Sequence, residues 1–264
     1  MNPDTYYRDH WLEVETERLE AYEEMFRWRP QMEPLLAPAR LEEGQVVVDY
    51  GCGPGMLSLE LGRRAGAAGH VHGVDINAAF LARAREHAAE SGLDKQMSFH
   101  LIEGDRVPLE DGSVDRVICK NVLEYVPDVG ATLRELRRVL RPGGLTHATD
   151  SDWGMLVVEP LGADRIAELF QAASLAYKTP LIGRKLYGAF REAGYGDVEI
   201  QIVATADRRG FLAPVVFHMA GYARVSGRLD PAKIDRLLDD LRAAIEAGTY
   251  LMVLPQFLVT GTER

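Results

Sequence analysis

The chain has 264 residues, 47% of them hydrophobic and 27% charged, which suits one elaborated α/β domain with a substantial core and excludes global disorder. A formal net charge of −10 opposes attraction to phosphate backbones and anionic lipid, so neither nucleic acid nor membrane is an expected partner. The first ten residues lack the basic and apolar regions of a signal peptide, no apolar run reaches the ~18 residues of a membrane span, and Cys52 and Cys119 fall in or beside core strands, so a reduced cytoplasmic location is expected.

Leu12, Leu19, Tyr22 and Phe26 recur at helical spacing and predict an amphipathic helix over about residues 9–29. A β-branched run, 45–50, is bounded by glycine as a buried parallel strand would be. It is followed by a helix over about 56–65, a strand over 71–76 and an alanine-rich helix over 78–91. Strands over 97–102 and 114–119 come next. A helix carrying Leu133, Leu136, Val139 and Leu140 is stopped by Arg141-Pro142-Gly143-Gly144, and a fifth strand occupies 145–149. Beyond residue 150 the pattern predicts helices over 163–177 and 184–193, a strand over 198–205, a helix over 231–247 capped by Asp230, and a last strand over 256–261. Alternation of this kind predicts a Rossmann-like α/β fold, a seven-stranded and mostly parallel sheet with helices on both faces. The expected division is an N-terminal helical cap at 1–40, a core at 41–209, a covering helical insertion at 210–248 and the final strand at 249–264.

The most informative segment is the glycine-rich turn Gly51-Cys52-Gly53-Pro54-Gly55 between the first strand and its helix. Glycine permits positive φ there and lets a ligand approach backbone amides. The dinucleotide fingerprint is Gly-x-Gly-x-x-Gly, whereas this turn reads Gly-x-Gly-x-Gly with Met56 in the third fingerprint position, which disfavours pyrophosphate. A bare structural turn is the competing account. Asp75 ends the second strand about 20 residues on, where open α/β sheets hold a ribose, although Asp75 or Asn77 as a helix cap would also explain the pattern. Glu103-Gly104-Asp105-Arg106 follows the third strand, where an acid can accept from an adenine amino group or simply face solvent.

Taken in order, Val-Val-Asp-Tyr-Gly-Cys-Gly-Pro-Gly, Gly-Val-Asp-Ile-Asn, Glu-Gly-Asp, the stretch from Asp115 to Tyr125 and Arg-Pro-Gly-Gly resemble the motifs of class I S-adenosylmethionine-dependent methyltransferases. The pattern is similar to the small-molecule "type 11" group that includes ubiquinone-biosynthesis enzymes. It covers about residues 45–150, with the final strand reminiscent of the family's last. The resemblance implies that Gly51, Gly53 and Gly55 line the methionine part of S-adenosylmethionine and that Asp49 orients its amino end. It further implies that Asp75, Ile76 and the adjoining Asn77 hold the ribose and adenine, that Gly104, Asp105 and Arg106 flank the adenine, and that Asn121 and Val122 wall the sulfonium.

In-line transfer of an electrophilic methyl group needs alignment more than a strong catalytic group. A cationic sulfonium also favours aromatic faces. Tyr6, Tyr7, Trp11 and Tyr22 in the N-terminal segment, with Tyr125, are candidates for that lining, although aromatic residues at helical spacing also serve as core. Asp150-Ser151-Asp152-Trp153 follows the fifth strand on the edge where an acceptor would sit. Together with Glu124 it suggests three carboxylates and Trp153 around an amine-bearing acceptor, hence N-methylation, with Glu124, Tyr125, Asp150 and Asp152 as the catalytic candidates. Turn capping by Asp152 and backbone bonding by Asp150 are the competing account. No metal is expected, because His72, His100 and His147 lie on strands without ligand spacing. O- or C-methylation, a nicotinamide-dependent oxidoreductase and a non-catalytic binder are the alternatives. The oxidoreductase lacks an evident Tyr-x-x-x-Lys pair.

Overall fold

The chain enters through the short helices α1 (Tyr6–Asp9), α2 (Thr16–Phe26) and α3 (Glu33–Leu36). It then alternates β1 (Val46–Tyr50), α4 (Met56–Ala65), β2 (His70–Asp75), α5 (Ala78–Glu90), β3 (Met97–Leu101), β4 (Val114–Lys120), α6 (Val129–Val139) and β5 (Leu140–Ser151). The remainder forms β6 (Val157–Glu159), α7 (Gly162–Ala173), α8 (Ile182–Glu192), β7 (Gly196–Val203), α9 (Ala213–Ser226), α10 (Pro231–Ala247), β8 (Leu251–Val253) and β9 (Gln256–Thr262). The computed structural model describes residues 2–12, 14, 16–104 and 106–264.

Seven strands form one sheet in the order β3-β2-β1-β4-β5-β9-β7; β9 runs antiparallel to both neighbours while β1 to β5 are parallel. This is the expected Rossmann-like architecture. Because successive side chains of a strand point to opposite faces, Val47 and Ile118 pack under α4 and α5 with Leu61 and Leu81, while Val48 and Cys119 pack with Leu133 of α6 and Phe190 of α8. The order reverses between β1 and β4, which opens the crevice beyond their carboxyl ends. Among the described residues no helix is long and apolar enough to cross a membrane.

Several elements differ from expectation. The helix expected over about 9–29 is confined to α2 and preceded by the separate short α1, and between them the Trp11 carbonyl accepts from Asn77 Nδ2 at 2.7 Å. Arg141 to Gly144 does not simply stop a helix: β5 already begins at Leu140, pairs with Val114, and shifts register before Leu145 meets Arg116. The region over the sheet is also larger than the insertion expected at 210–248. β6 and β8 pair antiparallel, α7 packs on α9, and Val158, Leu169, Val216, Leu237 and Met252 share a second apolar core with α10. Asp230 caps α10 by accepting from Ala232 N–H, as expected.

Candidate functional site

Two turns meet at the end of β1 and β2. The N–H groups of Gly51 and Cys52 donate to the Val74 carbonyl at 2.8 and 3.1 Å, and Gly53 N–H donates to Asp75 Oδ2 at 2.8 Å. Asp75 Oδ1 accepts from Asn77 N–H at 2.9 Å, and Asn77 caps α5 by accepting from Ala79 and Phe80. Asp75 therefore ties the glycine turn to the β2–α5 turn while remaining on the wall of the crevice. Gly51 and Gly53 both have positive φ, +72° and +53°. A Cβ on Gly51 would overlap Val122, whereas one on Gly53 would meet nothing within 4 Å. Gly55 has another role, since a Cβ there would lie 2.8 Å from Ala84 of α5; it permits α4 and α5 to pack.

The crevice widens into a cavity of about 450 Å³. Its wall includes Asp49, Gly51, Gly53, Asp75, Ile76, Gly104, Asn121, Val122 and Tyr125, together with Trp11, Phe26, Trp28 and Phe80. Trp11 is fixed by edge-on packing against Tyr125 at 5.1 Å and by Tyr22 at 5.3 Å. Asp49 is 2% exposed and accepts from Ser58 Oγ at 2.5 Å; burial, reinforced by the negative charge of Asp75, pushes its carboxyl up to about 7. Burial also raises Asp75. Asn121 adopts φ +55°, donates its backbone N–H to the Thr149 carbonyl, and holds a buried Oδ1 with no partner among the described residues.

The residues expected at an acidic acceptor mouth are differently engaged, and Glu124, Asp150, Asp152 and Trp153 do not line this cavity. Asp150 is fully buried, with Oδ2 accepting from Leu123 N–H at 2.9 Å and Oδ1 from Ser151 N–H at 3.2 Å. Asp152, also fully buried, accepts from Gly154 N–H at 3.0 Å and forms a two-pronged ion pair with Arg184. Glu124 accepts from Trp153 Nε1. Burial raises Glu124, and raises Asp150 to about 7. Tyr6 stacks on His10 at 5.0 Å and meets Tyr222, and Tyr7 lies 5.1 Å beneath the Lys178 ammonium, so neither joins Trp11 at the cavity. Arg106 borders a separate surface depression with Arg134 and Arg138. Asp105 lies outside the described residues.

A methyltransferase-domain family model matches residues 41–194, more than half of the chain. The chain belongs to the methyltransferase domain family. The class I, S-adenosylmethionine-dependent assignment expected from the sequence stands with it. A ubiquinone-biosynthesis O-methyltransferase of Xanthomonas axonopodis pv. citri is 35% identical over 59% of this chain and 65% of its own length. A 37.1 kDa protein in transposon TN4556 of Streptomyces fradiae is 31% identical over 81% of the chain. The chain thus spans 63% and 65% of the length of these two relatives. A phosphoethanolamine N-methyltransferase of Haemonchus contortus, solved with phosphomonomethylethanolamine and S-adenosylhomocysteine, matches the fold over 100% of this chain and 61% of its own, at 16% identity and a TM-score of 0.66.

The cavity fits S-adenosylmethionine on its own terms. Gly53 leaves backbone open to a ligand, the buried Asn121 Oδ1 lacks a partner, and carboxylates at Asp49 and Asp75 suit an ammonium and a diol. Sequence reasoning missed Phe26 and Phe80 as wall residues, because helical spacing does not reveal which face meets the crevice, and Trp28, because it stands in the irregular segment after α2. It also missed Lys120, whose signal was a charge ending the apolar run Val117-Ile118-Cys119.

Proposed function

We propose that the chain transfers the methyl group of S-adenosylmethionine to a small-molecule acceptor with a largely apolar body. One observation carries this reading: a single cavity joins the Gly51–Gly53 turn, Asp49 and Asp75 to the aromatic rings of Trp11, Phe26, Trp28 and Tyr125. Asp49 would hold the amino end of the donor, Gly51 and Gly53 its methionine chain, Asp75 the ribose diol, and Ile76 with Gly104 the adenine. Asn121 and Val122 would flank the sulfur. Gly55 and Asn77 would act through the shape of the two turns rather than by contact.

When bound, the sulfonium supplies an electrophilic methyl group. The chain contributes alignment and exclusion of water. Burial, reinforced by the Glu124 carboxyl to which its hydroxyl is hydrogen-bonded, holds the Tyr125 phenol protonated far into alkaline pH, so Tyr125 serves as a fixed ring of the wall and no base. Nitrogen is the accepting atom we favour, on different grounds from those first expected: the ring faces suit the cation that an amine becomes on methylation, whereas Asp150 and Asp152 are already bonded.

The test is calorimetry with S-adenosylmethionine and S-adenosylhomocysteine, followed by transfer of labelled methyl to amines, phenols and carbon acids sharing one apolar body. Binding of both donor forms with turnover of the amines is the expected result. Turnover of phenols alone would remove the nitrogen assignment, and absence of any binding would remove the donor site.

A further inference from the structure

Lys120 is the last residue of β4, half-buried on the cavity wall. Placing an ammonium at the end of an apolar strand is costly unless a partner satisfies it. Among the described residues no hydrogen bond engages Nζ; Asp150, Asp49 and Glu124 act on it only through space, and it stands 5.9 Å from the centre of the Phe26 ring. Arg8, also on the cavity wall, is exposed and already paired with Asp9 at 3.0 Å. A bonding position of Lys120 is thus left over on the surface of the cavity.

Register shows what it faces. β1 and β4 pair in parallel with Asp49 opposite Ile118. Residues two apart on a strand share a face, so Lys120 stands on the Asp49 side of the sheet, one pleat nearer the carboxyl edge, with about 8 Å between the Cα atoms. A carboxylate and an ammonium lie side by side on one wall without pairing to each other. An α-amino acid carries the complementary charges on a single carbon, and it fits between such a pair.

We propose that Lys120 is the counter-cation for the α-carboxylate of the methyl donor, so that Asp49 and Lys120 read the two ends of its amino-acid zwitterion across the β1–β4 seam. This rests on the donor site described above, but it concerns a residue outside the glycine turn.

Calorimetry on the full chain tests it with S-adenosylmethionine, decarboxylated S-adenosylmethionine, S-adenosylhomocysteine and 5′-methylthioadenosine. The unaltered protein is expected to bind S-adenosylmethionine at least ~10-fold tighter than its decarboxylated form, the range of one charge-assisted hydrogen bond. Lys120→Met should erase that preference, weakening both carboxylate-bearing ligands while leaving the decarboxylated compound and methylthioadenosine unchanged. Lys120→Arg should retain most of it. Equal affinity of the unaltered protein for the two sulfonium compounds overturns the assignment without any variant. So does a Lys120→Met protein that weakens all four ligands alike, or one that weakens none and instead raises the KM of the acceptor, which would assign the lysine to the acceptor. If the unaltered protein binds none of the four, the donor site itself falls.

Discussion

Gly51→Ala probes the contact that shapes the donor turn. An alanine there keeps φ near +72°, a left-handed conformation that costs a Cβ-bearing residue about 1–2 kcal/mol. Its Cβ would also overlap Val122 Cγ2 and lie 2.9 Å from Cγ1, and forcing a methyl into a packed site costs a further ~1–3 kcal/mol. A total of about 2–5 kcal/mol is expected in urea unfolding followed by tryptophan fluorescence. Val122→Ala removes both offending methyl groups and leaves only Val122 Cβ, 3.2 Å away. In that background Gly51→Ala should cost only the left-handed term, so the double-mutant cycle should show a favourable coupling of ~1–3 kcal/mol. Gly53→Ala supplies the contrast: its φ of +53° predicts ~1–2 kcal/mol and no coupling to Val122, because nothing lies within 4 Å of the added methyl. That methyl points into open space at the cavity wall, so donor affinity should fall by more than stability does. Additivity of Gly51→Ala and Val122→Ala within ~0.5 kcal/mol would refute the contact as the reason for glycine at position 51.

The Asp49 carboxyl makes stability fall with rising pH. Between about pH 4 and pH 7 the unfolded chain has lost a proton that the folded chain still holds, so up to ~4 kcal/mol is lost across that window and no more above it. Asp49→Asn should remove this share of the slope in urea midpoints taken from pH 4 to 8 and leave the shares of Asp150 and Asp75, and an unchanged slope would assign it elsewhere. Trp153→Phe deprives the buried Glu124 carboxyl of its indole donor and should cost about 1–3 kcal/mol of stability with donor affinity intact; an equal loss of affinity would contradict the separation of Trp153 from the cavity. Trp11→Ala removes a ring of the cavity wall but leaves the backbone carbonyl that Asn77 holds, so acceptor KM should rise at least ~10-fold while donor Kd changes little, and the reverse pattern would place the ring over the donor.

What was legible in the chain follows from range. The strands β1, β2 and β4, the glycine turn and the acid at Asp75 are written within about 30 consecutive residues each, where period-2 apolar patterns and turn chemistry operate. The bonds that decided the acceptor side are not local. Asp152 finds Arg184 32 positions later, Trp153 finds Glu124 29 positions earlier, and Asp150 reaches the Leu123 amide across 27. Sequence position brought those acids to the correct end of the sheet, yet it holds no information about which lone pairs are already taken. The same limit explains the N-terminus, where the helical spacing of Leu12, Leu19, Tyr22 and Phe26 concealed the turn at Trp11, whose carbonyl accepts from the distant Asn77. β6 and β8 are three-residue strands whose pairing spans more than 90 positions, so each reads locally as a short apolar loop.

The buried acids behind the cavity still bear on its chemistry, through Tyr125. Asp150 fixes the Leu123 amide, the Glu124 carbonyl accepts from Lys178 and Thr179 N–H, and the Glu124 carboxyl holds the Trp153 indole. Trp153 packs on Tyr177 at 4.9 Å, and Tyr177 stacks on Tyr125 at 5.6 Å, so each bond in this series restrains the residue next to it until the phenol on the cavity wall is reached. Methyl transfer depends on alignment, and alignment depends on how little such a wall can shift. On the function proposed above, Glu124, Asp150 and Trp153 would be positioning residues. The distinction has a kinetic consequence: loosening them should lower kcat with little change in the pH dependence of turnover, whereas a group exchanging protons with the acceptor would move the pH profile when replaced.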